Sequence, residues 1–232
     1  EKGTSVKALE EKKVEMLGKV YHMLTLAYGV PPTEFTWSQR DKDGKVVSTD
    51  KYTPLSFYNK LWGYDLNNDY VLVMNDPSRE YYKVYQIEYD RHTYDGHDWV
   101  YLNLPNEEVK PMLIASLKDS TAMYISCDVN KFLNRQKGVM DLKNFDYESL
   151  LGVTMTMDKK ERIITHASAS SHAMTLIAVD IDKATSKPTK WMVENSWGKE
   201  NGFKGNYIMT DEWFNEYMFR FVLNKKYVHE SV

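Results

Sequence analysis

The last third of the chain is a succession of short apolar segments separated by turn residues, and this pattern constrains the fold most. Residues 172–182 (HAMTLIAVDID) and 190–198 (KWMVENSWG) have the length and composition of two strands joined by a turn-rich loop. Residues 205–224 (GNYIMTDEWFNEYMFRFVLN) add a strand, a short helix or turn, and another strand. Such a run favours antiparallel pairing. We therefore expect an α+β chain whose C-terminal part is an antiparallel half-barrel or twisted sheet.

The first half of the chain combines helical segments with a hairpin. Residues 6–27 carry apolar side chains at helical spacing, and GVPP at 29–32 ends that helix. We expect its apolar stripe to pack into a core. Residues 35–55 indicate two strands around an Asp-Gly turn. Thr53 and Pro54 then supply the N-cap and first position of another helix.

A third helix is predicted over residues 106–120, with Asn106 as its N-cap, and an apolar strand over 121–129. The character of the chain changes near this point. We predict a helical and β-hairpin region over residues 1–120. Residues 121–232 then form a β-rich domain.

The composition excludes several classes of protein. Hydrophobic residues make up 42% and charged residues 27%, as in ordinary globular proteins. The net charge of −3 gives no general attraction to phosphate, so we expect no nucleic acid partner. The longest apolar runs are far too short for a membrane span. No histidine has metal-ligand spacing to another ligand, so no metal or cofactor is expected. The single cysteine rules out an internal disulfide and favours a reducing, cytoplasmic compartment.

His172 opens one predicted strand and Asn195 ends the next, 23 residues later. If these strands are antiparallel neighbours, the asparagine amide could orient the imidazole while the other ring nitrogen faces a nucleophile. The indole of Trp197 could shield that hydrogen bond from water. Spacing alone leaves other interpretations open, because a histidine at a strand start is commonly structural and NSWG can be a simple turn.

The segments SHAMTLIAVD, KWMVENSWG and GFKGNYIMTDEWFNEYMF resemble the papain-like cysteine peptidases, and in particular the bleomycin hydrolase and aminopeptidase C branch. PPTEFTWSQRDKDGK and IASLKDSTAMYISCDVNKF extend the resemblance over nearly the whole chain. It implies a papain-like fold and a thiol aminopeptidase mechanism. His172 then matches the catalytic histidine, Asn195 its orienting asparagine, and Trp197 the indole that covers their contact.

The catalytic cysteine of that family is missing from this sequence. In the family it lies at a helix N-terminus, in a motif that also carries an oxyanion-binding glutamine, and no stretch here matches that motif. The chain begins with Glu1 and not with methionine, which suggests a fragment, a processed chain or an artificial boundary. We therefore expect the cysteine to come from a segment or chain outside these residues, and this polypeptide alone to be inactive. Cys127 lies in an apolar strand-like run, which is typical of a buried structural cysteine.

The resemblance carries three further implications. The family forms a homohexamer acting on peptides, so we expect hexameric assembly and peptide substrates. Residues 1–120 would then serve as an insertion or in oligomerisation. Its C-terminal carboxylate lies in the cleft and receives the substrate's ammonium group, a role that would fall to Val232 if the terminus is native. The alternative is a non-catalytic papain-like module for binding or assembly.

Overall fold

A computed structural model describes residues 3–93 and 95–229 of the chain. The chain divides into two compact units, one ending at Tyr64 and the other beginning at Asp65.

The first unit contains two helices and a hairpin. Helix α1 spans Val6–Tyr28, strands β1 and β2 span Phe35–Arg40 and Val46–Tyr52, and helix α2 spans Pro54–Leu61. The strands pair antiparallel, as the Asp-Gly turn predicts. The Thr53 side chain accepts from the Ser56 backbone in a reciprocal capping box, so the predicted helix start is confirmed.

The apolar stripe of α1 is not packed into a core. No residue of this helix is buried, and Leu26 and Tyr28 are 75% and 85% exposed. The helix itself was predicted correctly, but the prediction of core packing was wrong. Helical spacing reports that one face is apolar; it does not report what covers that face.

The second unit holds the remaining elements. Its strands are β3 (Tyr70–Met74), β4 (Lys83–Ile87), β5 (Trp99–Asn103), β6 (Met123–Cys127), β7 (Leu133–Asn134), β8 (Val139–Met140), β9 (His172–Ile181), β10 (Pro188–Glu194), β11 (Asn206–Thr210) and β12 (Met218–Asn224). Its α-helices are α3 (Asn106–Lys118), α4 (Tyr147–Leu151), α5 (Lys159–Ile164) and α6 (Asp211–Tyr217). Helix α3 begins at the predicted residue, but its N-cap is Pro105 and not Asn106, and no side chain caps it.

In the described part of the chain these strands form one ten-stranded sheet, in the order β4-β5-β3-β12-β6-β9-β10-β11-β8-β7. The central strands β3, β12, β6, β9, β10 and β11 pair antiparallel. The antiparallel arrangement predicted for the last third of the chain is present in the β9–β10 and β10–β11 pairs. The β3–β5 and β11–β8 pairs are parallel, so the sheet as a whole is mixed. The α+β class is confirmed.

One face of this sheet carries the core. Ile125, Leu176 and Trp191 are at most 1% exposed on the central strands. Helices α3 and α6 supply the opposing side chains, among them Leu113 and Phe214. The indole of Trp191 stacks on the Phe214 ring at 4.8 Å. Each such side chain contributes about 1.5–3 kcal/mol by leaving water, and the core fixes the strand register on which the site depends.

The predicted division at residues 120/121 falls inside the second unit. Strands β3, β4 and β5 precede that position, yet they belong to the same sheet as the strands that follow it. The assignment of residues 1–120 to insertion and oligomerisation stays a prediction.

Candidate active site

His172 and Asn195 lie side by side at one end of the sheet. His172 is the first residue of β9, and Asn195 follows the last residue of β10. These strands pair antiparallel, with Glu194 opposite Thr175. The His172 Nε2 atom lies 2.9 Å from the Asn195 Oδ1 atom. The predicted juxtaposition of imidazole and carboxamide is thus present in the structure.

The surrounding hydrogen bonds fix which ring nitrogen remains free. The Ser196 backbone N–H donates to Asn195 Oδ1 at 2.8 Å, which identifies that atom as the amide oxygen. Because an amide oxygen only accepts, Nε2 of His172 must carry the proton in their shared hydrogen bond. In the neutral ring Nδ1 then has the lone pair. These hydrogen bonds therefore orient the imidazole and leave Nδ1 as the ring nitrogen that can accept a proton.

Trp197 covers the imidazole. Its ring centroid lies 4.8 Å from that of His172, with the planes tilted by 30°. The buried Tyr207 ring packs edge-on against the indole at 5.7 Å. The Asn201 Nδ2 atom donates to the Trp197 carbonyl oxygen at 2.6 Å. These contacts hold the Trp197 indole beside the His172–Asn195 pair, and the indole limits the access of water to the hydrogen bond between them.

A second network holds the segment that leads into His172. The buried Asp128 carboxylate accepts from the Ser168 hydroxyl at 2.8 Å. The Ser171 N–H donates to the Cys127 carbonyl at 2.9 Å. The Lys131 ammonium donates to the Ala167 carbonyl at 2.9 Å. Sequence reasoning missed this network, because its partners are about forty residues apart and carry no shared motif.

Cys127 is structural. It pairs with His172 across the β6–β9 ladder. Its side chain is fully buried, however, and burial raises the pKa of the thiol far above its usual range. No hydrogen bond joins the thiol to the imidazole among the contacts of the described residues. The expectation of a buried, structural cysteine agrees with this environment.

Lys159, the first residue of α5, is a buried cation that sequence reasoning also missed. Its Nζ donates to Asn75 Oδ1 and to the Met218 carbonyl, each at 2.6 Å. Because both acceptors are neutral, burial lowers the pKa of Lys159 to about 7. This side chain links α5 to the residue after β3 and to the first residue of β12.

Arg135 is a third residue that the sequence did not single out. It lies between β7 and β8, and its guanidinium carbon is 4.3 Å from the Trp197 ring centroid. Close to this contact in the sequence, the segment after Arg135 and the segment after Trp197 approach each other at two glycines. A Cβ atom on Gly138 would come within 2.5 Å of the Gly202 Cα atom, and both residues have positive φ, 66° and 61°.

Three cavities lined by described residues do not include His172 in their walls. A cavity of about 760 Å³ is lined by Phe132, Tyr147 and Tyr217, among other residues, and His172 is not part of its wall. A cavity of about 460 Å³ includes residues 168–170, the last of which is two positions before His172. Within residues 3–93 and 95–229, no cluster of three metal-ligating side chains occurs. In the same residues, no helix has the length and apolarity needed to cross a bilayer. Val232 lies outside the described residues.

The whole chain, residues 1–232, matches the model of the peptidase C1-like family. The chain belongs to the peptidase C1-like family. This peptidase C1-like chain is 36% identical to aminopeptidase C of Lactobacillus delbrueckii subsp. lactis. The match covers 99% of this chain and 51% of that relative. It is 38% identical to bleomycin hydrolase of Homo sapiens over 94% of its length and 49% of that relative. The resemblance stated from the sequence is confirmed.

A solved structure gives the same result for the fold. The crystal structure of PepW from Lactobacillus rhamnosis HN001 superposes with a TM-score of 0.87 and 34% sequence identity, covering 97% of this peptidase C1-like chain and 50% of PepW. The papain-like fold prediction is therefore confirmed. The chain spans about half the length of the curated relatives it matches.

Proposed function

We propose that this chain is the histidine- and asparagine-bearing part of a cysteine aminopeptidase. His172 is the general base and acid, Asn195 orients it, and Trp197 shields their hydrogen bond. The observation that carries the proposal is the 2.9 Å contact between His172 Nε2 and Asn195 Oδ1, which leaves Nδ1 free. The buried, protonated Cys127 cannot be the nucleophile. A segment outside these 232 residues supplies the reactive thiol.

The reaction follows from this assignment. Nδ1 of His172 takes the proton of the incoming thiol, and the thiolate attacks the carbonyl carbon of the first peptide bond. The imidazolium then gives its proton to the leaving amine, so an acyl-thioenzyme and a shortened peptide result. Water, activated by the same nitrogen, hydrolyses the thioester and releases the N-terminal amino acid.

The remaining parts of the proposal concern location, partners and termini. The names of the relatives support peptide substrates. The enzyme is cytoplasmic and assembles as a homohexamer, to which the exposed apolar helix α1 is suited. The carboxylate of Val232 anchors the α-ammonium group of the substrate.

The test is reconstitution with a cysteine-bearing segment. The complete peptidase containing this chain is assayed with aminoacyl-coumarin substrates, and we expect release of the fluorophore. His172→Ala should abolish release, whereas His97→Ala, which changes an exposed histidine outside the site, serves as the matched control. The 232-residue chain alone should show no release.

Two results would contradict the proposal. One is release of the fluorophore that persists in the His172→Ala protein. The other is absence of release from a folded complete protein whose cysteine segment is intact. The second result would favour the non-catalytic binding or assembly module.

A further inference from the structure

Arg135 is an exposed guanidinium without an acidic partner among the described residues. It lies at the tip of the hairpin of residues 134–138 (NRQKG), which contains two basic residues and no acidic one. Its contact with Trp197 uses the charge of the guanidinium against the face of the ring. That contact consumes none of the five N–H donors, which remain available to an oxygen acceptor.

This cation is close to the reacting groups of the proposed reaction. The Arg135 carbon is 4.3 Å from the Trp197 centroid and the His172 ring is 4.8 Å from the same centroid. The distance from the guanidinium carbon to the imidazole centroid cannot exceed the sum of these two distances, so it is at most about 9 Å. The carbon of a carboxylate that is hydrogen-bonded to the guanidinium lies about 4 Å from the guanidinium carbon.

The proton transfer from His172 to the leaving amine determines which part of the substrate lies near Arg135. The imidazolium donates its proton to the leaving amine and must be within about 3 Å of that nitrogen. The leaving peptide thus begins against His172, while the acyl part stays on the sulfur. One residue advances the chain by about 3.8 Å. The first residue of the leaving peptide is accordingly within reach of Arg135.

We propose that Arg135 is a specificity-determining residue that binds a carboxylate on the first residue of the leaving peptide. The indole of Trp197 serves as the platform that holds the guanidinium in place. The carboxylate is either the side chain of Asp or Glu or, in a dipeptide, the C-terminal carboxylate. This inference rests on the proposed function, and it adds a preference for acidic leaving groups.

Matched small peptides separate the two sources of the carboxylate. Leu-Glu amide against Leu-Gln amide tests the side chain, and Leu-Gln against Leu-Gln amide tests the terminal carboxylate. In the complete peptidase we expect kcat/KM to favour the acidic member of at least one pair by about three- to tenfold, the range for a partly exposed charge-assisted contact. The preference should shrink as salt concentration rises.

Variants assign the preference to Arg135. Arg135→Gln should bring the ratio close to one, and Arg135→Glu should invert it. Arg79→Gln is the control, because Arg79 also lies over an aromatic ring, that of Tyr85, on the strand at the opposite edge of the sheet. A ratio that Arg135→Gln leaves unchanged, or no preference in either pair, would overturn the inference while the peptidase function stands.

A binding measurement on the 232-residue chain decides the case without turnover. Glutamyl amide and glutaminyl amide are titrated while NMR follows the Trp197 indole N–H and the Arg135 side-chain N–H. We expect saturable shifts with glutamyl amide that Arg135→Gln removes. Equal responses to the two amides would overturn the inference, even if the complete protein cleaved none of the peptides and the proposed function had failed.

Discussion

Replacing Asn195 by alanine tests the role of the amide that orients the imidazole. The substitution removes the oxygen that accepts from His172 Nε2 at 2.9 Å and from the Ser196 N–H at 2.8 Å. The ring then has no fixed partner for its Nε2–H. It can rotate, or move its proton to Nδ1, which is the atom that must accept the proton of the thiol.

The expected magnitude follows from the hydrogen bond that is lost. When His172 carries a proton, its bond to Asn195 involves a charged donor, and such bonds contribute about 1.5–3 kcal/mol. Since about 1.4 kcal/mol corresponds to a factor of ten in rate, Asn195→Ala should lower kcat/KM by about 10- to 150-fold. Asn195→Asp keeps an oxygen acceptor, so its loss should be smaller.

The assay is aminoacyl-coumarin hydrolysis by the complete peptidase at saturating and limiting substrate. Asn68→Ala is the matched control, because this amide bonds to the exposed Asp65 outside the site. Circular dichroism and a thermal melt should show that each variant is folded. A folded Asn195→Ala protein within twofold of the parent would refute the reasoning.

Three further predictions concern stability and reactivity. The pKa of Lys159 is about 7 in the folded chain and about 10.4 when unfolded. Between these two pH values the unfolded state therefore binds more protons than the folded state. The free energy of unfolding of the parent chain, relative to that of Lys159→Met, should then rise from pH 7 to pH 10 in urea titrations. A difference between the two proteins that does not change with pH would contradict this prediction. The buried Cys127 thiol should resist an aromatic disulfide reagent until the chain unfolds, and immediate reaction of the native chain would be the contrary result. Leu176→Ala should lower the free energy of unfolding by about 2–5 kcal/mol, whereas Leu150→Ala, at a position 77% exposed, should change it by less than about 0.5 kcal/mol.

The features predicted correctly from the sequence have local causes. The Thr53-Pro54 pair specifies the start of α2, because capping and φ restriction involve only a few neighbouring residues. The apolar run that begins at His172 and the one that ends just before Asn195 specify two strands, and the short loop between them makes antiparallel neighbours of these strands. The proximity of His172 and Asn195 could therefore be predicted from the sequence.

The features that were missed depend on contacts between distant residues. Tyr70 pairs with Asn224 across β3 and β12, and no local pattern specifies such a partner. The contact of Arg135 with Trp197 and the close approach of Gly138 to Gly202 each join distant parts of the chain, and both are visible only after folding. The exposure of α1 was missed because periodicity describes the helix face and not its surroundings.

The protonation of the His172 ring is the most direct test of the central claim. In the chain labelled with ¹⁵N, long-range imidazole correlation spectra at a pH where the ring is neutral report which nitrogen carries hydrogen. The account predicts the proton on Nε2, protected from exchange beneath Trp197, and loss of that protection in Asn195→Ala. A proton on Nδ1, or a rapidly averaging mixture of both tautomers in the unaltered chain, would contradict it.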